Sequence, residues 1–135
     1  MAPMARYYDL SAANARLEEL RPLLEGLRDD RDSIAGMQRE AEHLRSASGN
    51  GKHQARLDEH ESTMLDIVRR MEATVRQIDA WGITLRDIGS GLVDFPALAN
   101  GRPIWLCWKL GEDDIGWWHE LDTGIAGRIP LIELE

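Results

Sequence analysis

The sequence predicts an α+β fold, a long antiparallel two-helix (coiled-coil-like) hairpin followed by a small C-terminal antiparallel β-sheet rich in tryptophan. Three observations predict it. Apolar residues recur at alternating three- and four-residue steps through two long runs before Gly82. A polar, glycine-bearing stretch at 46–51 separates those runs. Beyond Trp81-Gly82 the helical period gives way to Gly, Pro and aromatic residues, and four of the five tryptophans fall within 105–118, as in short strands joined by turns.

The first run is Leu10, Ala13, Leu17, Leu20, Leu24 and Leu27, a heptad seam. Asp9 or Ser11 can cap its start by accepting a free backbone N–H. The seam continues as Arg31, Ile34, Gln38 and Ala41. Pro22 lacks the N–H for an i−4 bond, so either the helix kinks there or it begins near Arg21. Ser-Ala-Ser-Gly-Asn-Gly at 46–51 then favours a turn. The second run places Leu57, Met64, Met71 and Ile78 seven apart, with His60, Ile67, Thr74 and Trp81 between them. Folding back across the turn sets Ala41 by Leu57, Ile34 by Met64, Leu27 by Met71 and Leu20 by Ile78, all apolar pairs. At ~1.5 Å per residue such an arm is on the order of 50 Å long.

Leu65, Val68 and Val75 form a stripe beside the second seam, and Leu23 adds to the first. Two helices cannot bury both stripes against each other. The β module covers the lower part, and a second copy of the hairpin, making a homodimeric four-helix bundle, is expected to cover the rest. The seam turns polar toward the tip. There, His53, His60 and Glu61 invite a metal-site reading, but a solvated hairpin end is the better one.

In the β module, Ile83–Ile88 reads as a short strand, with Gly89-Ser90-Gly91 as a joint. Ile104–Leu110 and Ile115–Leu121 read as strands joined by Gly111-Glu112-Asp113-Asp114, and 128–131 as an edge strand that tolerates Pro130. Pairing Leu110 with Ile115 puts Ile104, Leu106, Trp108, Leu110, Ile115, Trp117, His119 and Leu121 on a core face, with Trp105, Cys107, Lys109, Trp118, Glu120 and Asp122 on a mixed outer one. A slip of one residue would move His119 to the outer face. The tryptophans are read mainly as core, with ligand contact by Trp108 and Trp118 as the alternative. His119 is similarly read first as a buried, hydrogen-bonded imidazole and second as a catalytic one. The expected organisation is a single domain over 1–135, with helices at 9–46 and 53–81 and the β module at 83–135.

The formal net charge of −8 argues against a nucleic-acid or anionic-membrane binder, because phosphate binding needs concentrated positive charge. The charge is uneven. Residues 1–90 hold 13 basic and 16 acidic groups, whereas 91–135 hold 3 and 8, so the C-terminal third suits a cationic or neutral partner. A lone cysteine, Cys107, excludes an intrachain disulfide and argues against a thiolate zinc cluster. With no apolar leader and no window near 18 apolar residues, a cytoplasmic location is expected.

One family resemblance rests on particular residues. Gly-Leu-Val-Asp-Phe-Pro-Ala at 91–97 is followed by Ile-Trp-Leu-Cys-Trp-Lys-Leu-Gly-Glu at 104–112, then by Ile115, Trp118-His119, Asp122 and Gly-Ile-Ala-Gly-Arg at 124–128. Together with the Tyr8-x-Leu10 opening, this resembles the bacterial family labelled domain of unknown function 2203. The likeness covers nearly the whole chain. It implies the fold and a bacterial cytoplasmic setting, and brings no activity or catalytic residues with it.

Candidate site residues are Asp94, Trp108, Lys109, Glu112, Trp118, His119, Asp122 and Arg128. A carboxylate with His119 could act as general base and acid, and Arg128 could hold an anion. His119-x-x-Asp122 with Glu112 could ligate a divalent ion. Against these stand a turn at Asp94-Phe-Pro and a structural ion pair for Arg128. Cys107, between two tryptophans, is a weak nucleophile candidate, because burial keeps a thiol protonated. Gly89-Ser90-Gly91 is no phosphate loop. Three readings remain: a dimeric binding or scaffold module that recognises a protein or small ligand, a small enzyme or metal protein around Asp94, His119, Asp122 and Arg128, and a coiled-coil oligomeriser. The first is favoured, since heptads alone would not need so many Trp and Gly residues.

Overall fold

The computed structural model describes residues 7–47 and 53–133. Helix α1 spans Leu10–Ala47 and α2 spans Gln54–Ala80. Five strands follow, β1 at Thr84–Asp87, β2 at Leu92–Ala99, β3 at Arg102–Lys109, β4 at Trp117–His119 and β5 at Ile129–Pro130. They form one antiparallel sheet in the order β1-β2-β3-β4-β5. Short 3-10 turns stand at Ile125–Gly127 and Leu131–Glu133. No helix among the described residues is long and apolar enough to cross a membrane.

Helix α1 starts where Asp9 Oδ1 accepts the Ala12 N–H at 2.7 Å, a side-chain N-cap. It runs on through Pro22 as one helix and does not begin near Arg21. Most of the turn expected at 46–51 lies outside the described residues. The two helices pack together. Arg70 pairs with Asp30 through both carboxylate oxygens at 2.7 and 3.1 Å, and Arg56 and His60 both approach Glu40, at 2.8 and 3.2 Å. These cross-links lie within one helical turn of the register set by the apolar pairs. Gly82, at φ +78°, ends α2 in the left-handed conformation that favours glycine.

One apolar cluster joins hairpin and sheet. Leu17, Leu20, Leu24 and Leu27 of α1 and Ile78 of α2 meet Val93, Phe95 and Ala97 of β2, Ile104, Leu106 and Trp108 of β3, and Trp118 of β4. Tyr8 locks the chain's entry into this cluster. Its N–H donates to the Pro96 carbonyl at 2.7 Å, its hydroxyl to the Trp81 carbonyl, and its ring meets Phe95 edge-on with centroids 5.2 Å apart.

Three strand expectations are corrected. Strand β2 was not foreseen, because Asp94-Phe-Pro reads as a turn. In fact Pro96 sits mid-strand, opposite Trp105. Its carbonyl faces Tyr8, so its missing N–H falls on that same outward side, past the end of β1, where no ladder bond is lost. The hairpin expected to pair Leu110 with Ile115 does not form. Trp118 instead pairs with Leu106 and His119 with Trp105, one residue out of the expected register. The slip puts Trp118 in the core, brings Trp117 and His119 to the outer face, and leaves Leu121, expected in the core, 54 % exposed beyond the end of β4. Helix α1 holds the intervening loop: Asn14 Oδ1 accepts the Ile115 N–H at 2.8 Å, and Arg21 donates to the Asp113 carbonyl at 3.2 Å. The expected strand Ile115–Leu121 accordingly shrinks to three residues. Gly91, at φ +65°, starts β2 where a Cβ would come within 2.5 Å of the Leu110 side chain, so both backbone and packing require glycine there.

Candidate functional site

The sheet's outer face carries the polar chemistry. Side chains alternate across a strand, so Asp94 of β2, Trp105 and Cys107 of β3 and His119 of β4 share this face. Asp94 is paired directly with Cys107, and His119 with Trp105. Asp94, Cys107 and His119 are 2 %, 0 % and 1 % exposed, as buried as the apolar core behind them.

His119 Nδ1 lies 2.7 Å from the Glu120 carbonyl, and Nε2 lies 2.9 Å from Asp94 Oδ1. A carbonyl only accepts, so Nδ1 carries a hydrogen and donates it. The Nε2···Oδ1 contact then requires one further proton, held between ring and carboxylate. The other Asp94 oxygen accepts from Arg86 Nε at 2.8 Å, and the Arg86 guanidinium lies over the Trp105 ring, 5.1 Å from its centroid. Strand β1 is irregular between Leu85 and Asp87. Arg86 is the extra residue there, and such bulges re-aim side chains.

A second, similar arrangement lies alongside. Arg128 Nη2 donates to both Glu112 oxygens at 2.7 and 2.9 Å, and the guanidinium lies 4.7 Å from the Trp117 centroid. Arg128 Nε is buried without a hydrogen-bond partner. Glu112 also accepts the Lys109 N–H at 3.0 Å. Cys107 lies between the two arrangements. Burial first, and then the Asp94 carboxylate, push its thiol up to about 12, while Arg128 pulls the other way.

Beside this floor opens a cleft of about 370 Å³, lined by Arg86, Leu92, Asp94, His119, Leu121, Asp122, Gly124 and Ile125. Of the residues read from the sequence as site candidates, Asp94, His119 and Asp122 meet in this cleft. Glu112 and Arg128 pair with each other, and Lys109 contributes its backbone. Trp108 and Trp118 take core positions at 0 % and 6 % exposure and do not line it, since the register turns both toward the hairpin. Among the described residues, the metal-ligating atoms that converge are those of Asp94, Cys107 and His119. His53, His60 and Glu61 do not converge at the hairpin tip, nor does Glu112 join His119 and Asp122. Sequence reading missed Arg86 altogether; its only signal is that it alternates with Leu85 in a strand beginning at Thr84. Nothing in the sequence pairs Cys107 with Asp94 and His119 as possible ligands.

The family model of an uncharacterised conserved protein, DUF2203, matches residues 6–131. The chain belongs to that family. No curated protein and no solved structure matches it. The matched span runs from just before Tyr8 to Leu131, so the DUF2203 match includes the tyrosine that pins α1 to the sheet and every residue of the buried polar floor.

Proposed function

We propose that this chain is a binding and scaffold module whose outer sheet face takes up a small polar ligand in the cleft over Asp94 and His119. The observation that carries the reading is the buried Asp94–His119 pair. Breaking charged or polar groups out of water costs stability unless something is gained. Here the pair forms the wall of an open cleft with apolar Leu121 and Ile125 at its rim and Arg86 and Asp122 beside it. Four polar side chains, Arg86, Asp94, His119 and Asp122, converge there beside Leu92, Leu121 and Ile125, a lining that suits a small ligand with both polar and apolar parts. The alternative, a small enzyme around Asp94, His119, Asp122 and Arg128, finds less support. Arg128 pairs with Glu112 and does not line the cleft, so the four residues of that reading do not share one site.

The test is a nitrogen-15 correlation spectrum titrated with small carboxylates, phosphates and amines. Binders are expected to shift Arg86, Leu121, Gly124 and Ile125 together. Leu121→Arg should abolish those shifts without lowering the melting temperature, because Leu121 is 54 % exposed. A panel that moves none of these resonances, or moves them equally in the variant, refutes the reading.

The proposal includes a homodimer through the hairpins and a cytoplasmic setting. Leu65 and Val68, 50 % and 38 % exposed, lie one turn apart on α2 and support a second copy packed there. Sedimentation at tens of micromolar is expected to give twice the chain mass, and Leu65→Glu/Val68→Glu the chain mass alone. A monomeric parent protein would remove this part.

A further inference from the structure

We propose that Asp94, Cys107 and His119 form a binding site for a zinc-class divalent ion, with one coordination position open to the cleft. The three ligand atoms lie within 4.8 Å of one another. Tetrahedral coordination with bonds of about 2.0–2.3 Å places ligand atoms about 3.3–3.6 Å apart. Closing the cluster around an ion is therefore a side-chain adjustment of roughly 1 Å that leaves the backbone in place.

The backbone itself prepares the arrangement. Each ligand comes from a different strand, β2, β3 and β4, and all three strands are neighbours in one ladder. Asp94 and Cys107 are direct cross-strand partners, and His119 lies two residues along β4 from Trp117, the partner of Cys107. Side chains so related approach one another on a single sheet face, and sites carried by strands hold their geometry better than sites on loops.

The outer contacts fit as well. Metal-bound histidines usually donate their second ring N–H to a carbonyl or carboxylate, which turns the other nitrogen toward the ion. Here Nδ1 donates to the Glu120 carbonyl at 2.7 Å, leaving Nε2 for the metal. Asp94 is held the same way: Arg86 occupies Oδ2, and Oδ1 faces His119. On binding, the ion replaces the proton between Nε2 and Oδ1 and the Cys107 thiol proton, and both protons pass to solvent. A doubly charged cation is then neutralised by one thiolate and one carboxylate. The mixed sulfur, nitrogen and oxygen donors select a borderline-soft ion such as zinc over calcium or magnesium. Asp94 and His119 both line the cleft, so a fourth ligand, water or a bound molecule, reaches the ion from there.

The experiment uses the full chain without a histidine tag. Titration of the chelator-treated protein with cobalt(II) is expected to give a thiolate-to-cobalt charge-transfer band and tetrahedral d–d bands, saturating at about one ion per chain. Zinc should displace the cobalt, and magnesium should not. Cys107→Ser, close in size to the parent residue, should lose the charge-transfer band and bind zinc at least about a hundredfold more weakly, with an unchanged circular-dichroism spectrum. Absence of the band in the parent protein, or its survival in Cys107→Ser, overturns the proposal. The cleft reading is judged separately, by the carboxylate, phosphate and amine titration of the metal-free protein. Ligand shifts without a cobalt band remove the metal site alone, and a cobalt band without ligand shifts removes the small-ligand reading alone.

Discussion

Asp94→Ala is expected to destabilise the protein by about 3–5 kcal/mol, measured by chemical denaturation in the presence of a chelator. The variant leaves His119 Nε2 without its partner at a position 1 % exposed. That nitrogen is shielded in the intact protein, and losing a charge-assisted partner there is costly even where cleft water takes part of the vacated space. Arg86 loses its partner too, but its side chain is 42 % exposed and can turn to solvent, so it adds little. The double variant Asp94→Val/His119→Leu should recover most of the loss, since it removes both polar partners and fills their space with apolar groups. If the single variant cost under roughly 1 kcal/mol, the pair would have to be hydrated, and the buried polar floor would not exist as described. Recovery in the double variant would show in addition that this pair is kept for binding and not for stability.

The second large effect is expected at Trp108. Its ring is fully buried between hairpin and sheet, its Nε1 donates to the Asp113 carbonyl at 2.8 Å, and the Arg21 guanidinium lies 5.5 Å from the ring centroid. Trp108→Ala removes the largest fully buried side chain and a bond that holds the 110–116 loop, for an expected loss of about 3–5 kcal/mol. Trp105, three residues earlier on the opposite face, is only partly buried, and there the same change should cost roughly 1–2 kcal/mol, chiefly its contact with Arg86. The comparison reads out the strand register directly. Equal losses at the two positions would mean that the sheet does not present Trp108 to the helices.

How far the sequence carries differs by element. The hairpin was legible because its information is repeated: six apolar residues from Leu10 to Leu27 and four from Leu57 to Ile78 each restate the same period, and a single polar substitution in the seam changes nothing. Strand β2 was hidden by one residue. Val93, Phe95, Ala97 and Ala99 alternate as a half-buried strand should, yet Pro96 among them argues for a turn. Only the contact with Tyr8, some ninety residues away in sequence, shows that no ladder bond is missing there.

The candidate site was half legible. Asp94, His119 and Asp122 could be singled out as residue types that bind or catalyse, but nothing local says that they converge. Convergence depends on register, and a register shift of one residue exchanges the faces of a whole strand. Between Leu110 and Trp117 that register is decided by Asn14 and Arg21 of α1, which take hold of the loop. Arg86 escaped notice for a similar reason: its role depends on an irregularity in β1 and on a partner on the next strand.

By itself the sequence determined the class of fold, the two helices, their antiparallel pairing, and the family. These rest on apolar periodicity and on local chain preferences, which act between near neighbours and are written in consecutive residues. Only the tertiary structure decided that β2 exists, which face His119 occupies, and that Asp94, Cys107 and His119 meet under one cleft. Those outcomes depend on cross-strand register, which is set by contacts between residues far apart in the chain, such as Tyr8 with Pro96 and Asn14 with Ile115.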